Sequence, residues 1–250
     1  MNSYRVGQIV PSSNVTMETE IPALLRARES ISEERFTFHS SRMRMKKVTR
    51  EELAAMDADS DRCALELSDA RVDVMGYACL VAIMSMGKGY HRTSQTRLHD
   101  VTKTNDCPTP VITSAGALVE GIQAIGAKRV AIVAPYMKPL TQMVVEYISS
   151  EGIDVLEWRA LEISDNLMVA AHDTQNLPGI IAQMQHISDV DAVVLSACVQ
   201  MPSLAAVSIV EAQIGKPVLS AAIATTWAML KALNLDTRVP GGGTLLSGAY

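Results

Sequence analysis

Three pairs of similar segments occur in the same order in the two halves of this 250-residue chain. The first pair reads RVGQIVP at residues 5–11 and RVAIVAP at residues 129–135. The second reads VDVMGYAC at 72–79 and VDAVVLSAC at 190–198, and the third reads PVITSA at 110–115 and PVLSAA at 217–222. One match could arise by chance, but three in register predict a duplicated lobe and restrict the fold to two similar halves.

Apolar strand-like runs alternate with amphipathic stretches along the chain. Strands are predicted at residues 4–10, 36–44, 72–78, 110–113, 129–134, 154–159, 191–196 and 217–220. Helices are predicted at residues 15–28, 49–70, 115–126, 138–151, 166–171, 177–187, 203–214 and 223–233. This alternation predicts an α/β fold in which each lobe is a doubly wound, flavodoxin-like sheet of mostly parallel strands, with helices on both faces.

The two lobes are expected to be related by a pseudo-two-fold axis, with the active site in the cleft between them. Ligands of open parallel sheets bind beyond the carboxyl ends of the strands, which places Pro11, Cys79, Pro135 and Cys198 on one functional edge. The first lobe is predicted to comprise residues 1–114 together with 217–250, because the closing helix needs a surface to pack on. The second lobe would comprise residues 115–216.

The composition limits the partners that this chain can have. Hydrophobic residues make up 48% and charged residues 20%, as in globular proteins. The net charge of −5 gives no electrostatic reason to bind nucleic acid. A local basic cluster is interpreted as a solvated edge from which one arginine could reach a neighbouring site. Its members are Arg42, Arg44, Lys46, Lys47 and Arg50.

Membrane, secretory and metal-binding features are not predicted. No uncharged apolar stretch reaches the ~20 residues of a membrane span, and residues 1–6 lack the basic and apolar regions of a secretory signal. We therefore expect a cytoplasmic protein with reduced thiols. The four cysteines contain no C-x-x-C pair and the five histidines are scattered, so neither disulfides nor a metal site is predicted.

Cys79 and Cys198 follow equivalent predicted strands. A single cysteine in such a place usually serves packing alone, but two at equivalent positions favour thiols that face each other across a cleft. Helix dipoles at the strand ends are expected to lower the thiol pKa from its usual ~8.5. Cys63 within a predicted helix and Cys107 in a proline-flanked loop are interpreted as structural.

Three polar residues near the predicted strand ends have two interpretations each. Asn14, in the loop before the first helix, either caps that helix or helps the loop amides to bind an anion. Asn166 has the same alternatives before a later helix. Tyr136 follows the repeated Pro135 and either packs or points its hydroxyl into the cleft.

The three glycines at 241–243 lack a phosphate-loop context and predict a flexible turn.

These motifs together resemble the aspartate/glutamate racemase superfamily, and within it the maleate cis-trans isomerases. The resemblance covers essentially the whole chain and depends on GQIVPSSN at 7–14, GYAC at 76–79, VAPY at 133–136, DNL at 165–167 and SACVQ at 196–200. Amino-acid racemases of the superfamily have Asn-Thr after the first cysteine and Thr after the second. Here Leu80-Val81 and Val199-Gln200 follow instead, which argues against an α-amino acid substrate. Arylmalonate decarboxylases keep only one of the two cysteines, so the presence of both argues against that branch.

The resemblance implies an enzyme without cofactor or metal that converts maleate to fumarate through a covalent succinyl-cysteine intermediate. Cys79 would be the nucleophile and Cys198 its acid/base partner. The implied substrate-binding residues are Asn14, Tyr136 and Asn166 for the two carboxylates, with Leu80, Val81 and Val199 beside the cysteines. The resemblance also suggests a role in the breakdown of nicotinate-like rings, and a homodimer is expected because dimers are the commonest assembly.

Two alternative functions remain open. The first is a racemase or epimerase in which the two thiols serve as proton donor and acceptor at one stereocentre. The second is a small-molecule-binding protein on the same fold, which would bind without turnover and would not need two cysteines at equivalent positions.

Overall fold

Two four-stranded parallel sheets form the frame of the molecule. The computed structural model describes residues 2–46 and 49–250, and only the backbone of residue 50. The strand order is β2-β1-β3-β4 in the first sheet and β6-β5-β7-β8 in the second, with every neighbouring pair parallel. The strands are β1 (Ser3–Pro11), β2 (Arg35–Met43), β3 (Val74–Tyr77), β4 (Val111–Thr113), β5 (Arg129–Ala134), β6 (Asp154–Ala160), β7 (Ala192–Ser196) and β8 (Val218–Ser220). The identical order confirms the predicted two-lobed α/β fold.

The helices connect these strands and cover the sheets. They are α1 (Met17–Arg28), α2 (Arg50–Asp69), α3 (Leu80–Ser85), α4 (Tyr90–Lys103), α5 (Ser114–Ala124), α6 (Lys138–Ser150), α7 (Asn166–Ala170), α8 (Leu177–Ala182), α9 (Leu204–Ile214) and α10 (Ala221–Ala232). The prediction that α8 extends to residue 187 is wrong, because the helix ends at Ala182.

Helices α3 and α4 are absent from the sequence-based prediction. Helix α3 has six residues, of which the first five are apolar, so it shows no helical period. Helix α4 buries His91, Ser94, Leu98 and Thr102 at helical spacing. Because three of those four side chains are polar, the hydrophobic periodicity that identifies an amphipathic helix is missing from its sequence.

The repeated segments have the same structural role in both lobes. The Asp73 carboxylate accepts from Arg5 N at 2.6 Å, and the Asp191 carboxylate accepts from Arg129 N at 2.9 Å. These contacts join the beginnings of β1 and β3 in one lobe, and of β5 and β7 in the other. The arginines and aspartates of the repeat therefore align equivalent strand pairs.

The third repeated segment is a strand followed directly by a capped helix. Thr113 Oγ1 accepts from Gly116 N at 3.1 Å at the start of α5, and Ser220 Oγ accepts from Ile223 N at 3.2 Å at the start of α10. A Thr or Ser at this position satisfies one of the free N–H groups of the first helical turn. The short edge strands β4 and β8 thus end where the cap begins.

The chain crosses back to the first lobe after β8 and not before it. Strand β8 pairs with β7, so it belongs to the second sheet, whereas the sequence-based division assigns residues 217–250 to the first lobe. The return begins with α10, which packs on α1, α5 and β3. Gly76 of β3 permits this close approach, because a Cβ there would lie 3.2 Å from Met17 Cε and from Met229 Sδ.

Three further findings apply to the described residues. None of their helices has the length and apolar character required to cross a bilayer. They contain no cluster of three or more His, Cys, Asp or Glu side chains placed to hold a metal ion. The four cysteines are free thiols.

Candidate active site

Cys79 and Cys198 leave the two sheets at equivalent points. The residue before Cys79 donates its N–H to Ile9 O, and the residue before Cys198 donates its N–H to Val133 O, both at 3.0 Å. Ile9 and Val133 occupy the same position of the repeated first strand. Each cysteine therefore begins the loop at the carboxyl end of the strand beside the first strand of its lobe.

One small cavity contains both cysteines. Its lining residues are Pro11, Asn14, Met45, Cys79, Val81, Tyr136, Asn166, Cys198, Val199 and Gln200. These residues come from both lobes, and within the described part of the chain the lining side chains are all uncharged. The structure thus brings the predicted site residues together, except Leu80, which is buried but does not line the cavity.

The cavity is narrow in this structure. It measures about 20 Å³, which is room for about one water molecule, whereas a cavity that binds benzene measures about 150 Å³. Any organic ligand must therefore widen the cleft between the lobes as it binds.

Cys79 has a strained backbone. Its φ of +89° and ψ of +71° lie in the left-handed region, between the end of β3 and the start of α3. A residue with a Cβ held in such a conformation costs on the order of 1–3 kcal/mol, and such residues cluster at functional sites. The turn places the Cys79 thiol in the cavity wall, half-buried, opposite the buried Cys198.

We expect Cys79→Gly to be more stable than Cys79→Ala by about 1 kcal/mol, because glycine adopts a positive φ without steric cost. Both variants lack the thiol, so the comparison isolates the backbone term. Urea unfolding of the two purified variants measures the difference. Equal stability, or a more stable alanine variant, would contradict the assignment of strain to this residue.

Burial raises the pKa of both thiols, which corrects the expectation that helix dipoles lower it. For Cys79, burial is the largest cause and raises the pKa to about 12, against a hydrogen bond from the Ala82 backbone. For Cys198, burial again dominates, while hydrogen bonds from Tyr136 and from the N–H groups of Gln200 and Met201 oppose it. Removal of water outweighs the dipole of the six-residue α3. Both thiols are therefore protonated in the free protein at neutral pH.

Tyr136 places a neutral hydroxyl beside Cys198. Its side chain is buried, and the hydroxyl donates to Ala197 O at 3.2 Å. Burial and the neighbouring thiols raise the pKa of Tyr136 well above its usual range. The phenol stays protonated and lines the cavity, and its single O–H would have to leave Ala197 O to donate to a ligand there.

Asn14 makes capping contacts, one of the two alternatives that the sequence left open, and it also lines the cavity. Its Oδ1 accepts from Thr16 N at 2.9 Å and from Met17 N at 3.0 Å, which satisfies the first turn of α1. The capping contacts occupy only the oxygen of the amide, so Nδ2 is the group that Asn14 can offer to a ligand. Helix capping thereby fixes the orientation of a cavity-lining donor.

Asn166 is not the cap of its helix. Asp165 takes that role, since its Oδ1 accepts from Leu167 N at 2.8 Å and from Met168 N at 3.0 Å. The Asn166 Nδ2 instead donates to Ser13 Oγ of the first lobe at 2.8 Å. The capping alternative is therefore wrong for Asn166, and its side chain lies in the cleft between the lobes.

One residue of the basic cluster does reach the site. Arg42 donates from Nη2 to Asn14 O at 2.5 Å and to Ser12 O at 3.2 Å, and it pairs with Glu18 of α1. Its guanidinium braces the outer side of the loop that carries Asn14.

Of the other members of the basic cluster, Lys46 lies near the site and Arg44 lies away from it. Both line a depression on the surface, and Lys46 also lines a second depression with Met45 and Asn166, beside the cavity. Lys47 and the side chain of Arg50 fall outside the described residues.

The lining residues Met45 and Gln200 were missing from the sequence-based site, and Pro11 was placed on its edge without a role. Pro11 and Gln200 stand within the motifs GQIVPSSN and SACVQ, so their proximity to Asn14 and Cys198 was a signal. Met45 lies beyond β2 and carries no motif. Only the fold brings it to the cavity.

A buried carboxylate outside the cavity joins the lobes. Glu20 of α1 accepts on Oε1 from Ser203 N at 2.6 Å and from Leu204 N at 2.7 Å, at the start of α9. Burial raises the pKa of Glu20 above its usual range, although these hydrogen bonds oppose the shift.

The raised pKa of Glu20 predicts a pH dependence of stability. The folded protein binds the Glu20 proton more tightly than the unfolded chain, whose glutamate pKa is ~4.3. The Glu20 contribution should therefore be fully present below pH ~4.3 and be lost as the pH rises through the folded pKa. In Glu20→Gln, whose Oε1 can still accept both N–H groups, this decline should be missing. Urea unfolding from acid to neutral pH measures both profiles, and parallel profiles would contradict the prediction.

Comparison with known proteins adds family information to this geometry. Residues 6–246 match the family model described as arylmalonate decarboxylase. The maleate isomerase of Pseudomonas putida KT2440 is 71% identical over 99% of this chain and 98% of its own length.

Two solved structures share the fold over the whole chain. A cysteine-to-alanine variant of the maleate isomerase Iso from Pseudomonas putida S16, crystallised with maleate, superposes with a TM-score of 0.98 at 76% identity and covers 100% of this chain and 99% of that one. A cysteine-to-serine variant of the Nocardia farcinica maleate cis-trans isomerase has a TM-score of 0.95 at 45% identity, with 100% of both chains covered. That variant carries a covalently bound succinylcysteine intermediate.

Proposed function

Because this chain belongs to the maleate isomerases, within the family described as arylmalonate decarboxylase, we propose that it converts maleate to fumarate without a cofactor. The observation that carries the proposal is the small uncharged cavity in which the thiols of two equivalent strand ends meet amide and hydroxyl donors.

Neutral donors bind the substrate dianion in this proposal. The Nδ2 groups of Asn14 and Asn166 and the hydroxyl of Tyr136 donate to the two carboxylates. Backbone amides near Val81 and Val199 assist them. None of these donors is charged, and burial outweighs their effect on the thiols, so both cysteines keep their protons until substrate arrives.

The reaction begins with addition of the Cys79 thiol to the double bond. The Cys79 sulfur forms a bond to one alkene carbon, and the π electrons move to the other carbon, where its carboxylate stabilises them. Cys198 gives its proton to that carbon and takes the proton that Cys79 releases. The net change is addition of S–H across the double bond, which yields a succinyl-Cys79 adduct. The succinylcysteine in the Nocardia farcinica enzyme supports a protonated adduct over a persistent carbanion.

Rotation and elimination complete the reaction. The central carbon–carbon bond of the adduct is single, so the carboxylates can turn from the cis to the trans arrangement. In the reverse of the first step, Cys198 takes the proton from the carbon that it protonated, the double bond forms again, and the carbon–sulfur bond breaks with its electrons on Cys79. Cys198 gives the proton that it already carried to the Cys79 sulfur, and fumarate leaves with both thiols restored.

An absorbance assay of fumarate formation from maleate tests the function. The purified enzyme, with only a thiol reductant present, should convert maleate with no cofactor added, and a thiol alkylator should inactivate it. Absence of fumarate from an enzyme with two reduced active-site thiols would overturn the proposal.

We further propose that the enzyme acts in the cytoplasm as a homodimer and contributes to the breakdown of nicotinate-like rings. The mechanism requires two free thiols close together, and the cytoplasm is a compartment that keeps thiols reduced. The homodimer follows from the prevalence of two-fold assemblies.

A further inference from the structure

We propose that Gln200 is a positioning residue that sets the spacing between the Asn14 and Asn166 amides and thereby the length of diacid that the site accepts. The inference rests on the proposed function, in which those amides bind the two carboxylates. Gln200 follows Cys198 by two positions, lines the cavity and is only 3% exposed.

The side chain of Gln200 joins the loops of the two asparagines. Its Oε1 accepts from Val15 N at 2.9 Å, and its Nε2 donates to Ser13 O at 3.0 Å. Ser13 and Val15 flank Asn14, so both sides of that residue are held. The same Nε2 donates to Asn166 O at 2.8 Å. The Gln200 amide thus contacts the main chain on both sides of Asn14 and at Asn166 itself.

These contacts use the donors of Gln200 completely. A primary amide has two N–H groups, and both are directed at backbone carbonyls. Donation to a substrate carboxylate would leave one of those carbonyls without its partner, which is unfavourable in a buried site. Gln200 therefore acts on the substrate through the asparagines and does not bind it directly.

Further contacts make the connection rigid. The Asn166 Nδ2 donates to Ser13 Oγ at 2.8 Å. A short distance along the chain from Gln200, Ser203 N and Leu204 N donate to the Glu20 carboxylate. The segment from Gln200 to Leu204 is thereby fixed to the first lobe at both of its ends, so Gln200 holds Asn166 against an anchored loop.

A fixed spacing between two donors selects ligands by length. The site should prefer a four-carbon diacid to one with an extra methylene as long as the asparagine loops are held together. Without Gln200 the loops can separate, so the four-carbon ligand should lose affinity and the longer one should lose less. A merely structural residue would lower stability without changing this preference.

The test uses calorimetric binding of succinate and glutarate to the full-length protein. Succinate has four carbons and no double bond, so its binding is measured without turnover, and glutarate is one methylene longer. Gln200→Met keeps the length of the side chain and removes its hydrogen bonds. We expect it to weaken succinate binding by ~10-fold or more and to bring the two dissociation constants closer together. Gln200→Glu, which places a carboxylate beside two carbonyls, should weaken succinate binding further.

Arg92→Met is the matched control. Arg92 also joins the lobes, through Nη1 to Glu151 Oε1 at 3.0 Å, but it does not line the cavity. This variant should leave both dissociation constants unchanged, whatever it does to the unfolding temperature.

Two binding results would contradict the positioning role of Gln200. Succinate affinity of Gln200→Met within ~2-fold of wild type, or equal losses for both ligands, would overturn the proposal. If Gln200→Met does not fold, Gln200→Glu replaces it, since it can keep the contact with Val15 N and removes both donors. An unchanged ratio of the two dissociation constants in Gln200→Glu would overturn the proposal. If the wild-type enzyme forms no fumarate but the variants show the expected change in preference, the isomerase function is wrong and the positioning role stands.

Discussion

Cys79→Ala is expected to abolish the conversion of maleate to fumarate, with a loss of kcat of at least ~10⁴-fold, as found when a covalent nucleophile is removed. Without the sulfur no adduct forms, the bond between the alkene carbons stays double, and rotation about it is blocked. The remaining donors can still bind the dianion, so affinity for succinate should persist. The absorbance assay with wild-type and variant enzyme at equal concentration measures the loss.

A second cysteine provides the control for that experiment. Cys107 is partly buried like Cys79, and its sulfur lies 3.5 Å from Thr109 Oγ1, outside the cavity. Cys107→Ala should retain wild-type kcat. Turnover by Cys79→Ala at the wild-type rate would exclude Cys79 as the nucleophile and with it the covalent mechanism.

Cys198→Ala is expected to lower kcat by ~10²–10⁴-fold, the usual contribution of a positioned acid/base group. The nucleophile is still present, but no group accepts the proton of Cys79 or protonates the neighbouring carbon. Because the pKa of Cys79 is raised to about 12, Cys79 cannot supply the thiolate by simple ionisation near neutral pH. Steady-state kinetics with maleate measures the loss.

Intact-protein mass spectrometry tests the same assignment independently. Cys198→Ser, whose hydroxyl can exchange a proton only slowly, should accumulate a species heavier by one maleate, and peptide mapping should locate the addition at Cys79. An adduct on any other residue, or a wild-type rate in Cys198→Ala, would show that Cys198 is not the acid/base partner.

Local sequence contains much of the information that specifies the frame of this fold. The segments RVGQIVP and RVAIVAP form equivalent central strands because an apolar run with an Arg at its start and Pro at its end has the same local preference in both lobes. The Thr and Ser of PVITSA and PVLSAA end a strand and cap a helix within a few residues. Helix α4 was not predicted because its buried face includes the polar residues His91, Ser94 and Thr102 and so lacks a hydrophobic pattern. Their burial depends on partners elsewhere in the chain.

The sequence by itself determined the duplicated α/β lobes and the convergence of Cys79 and Cys198, because strand patterns and repeats are local and the edge of a parallel sheet follows from topology. Only the tertiary structure decided the protonation state of the thiols and the residues around them. The direction of their pKa shift depends on how much water the two lobes together exclude, and this effect is larger than that of the helix dipole. The hydrogen bonds of Gln200 to the backbone of Ser13, Val15 and Asn166 likewise join residues far apart in the chain, so no local pattern could reveal them.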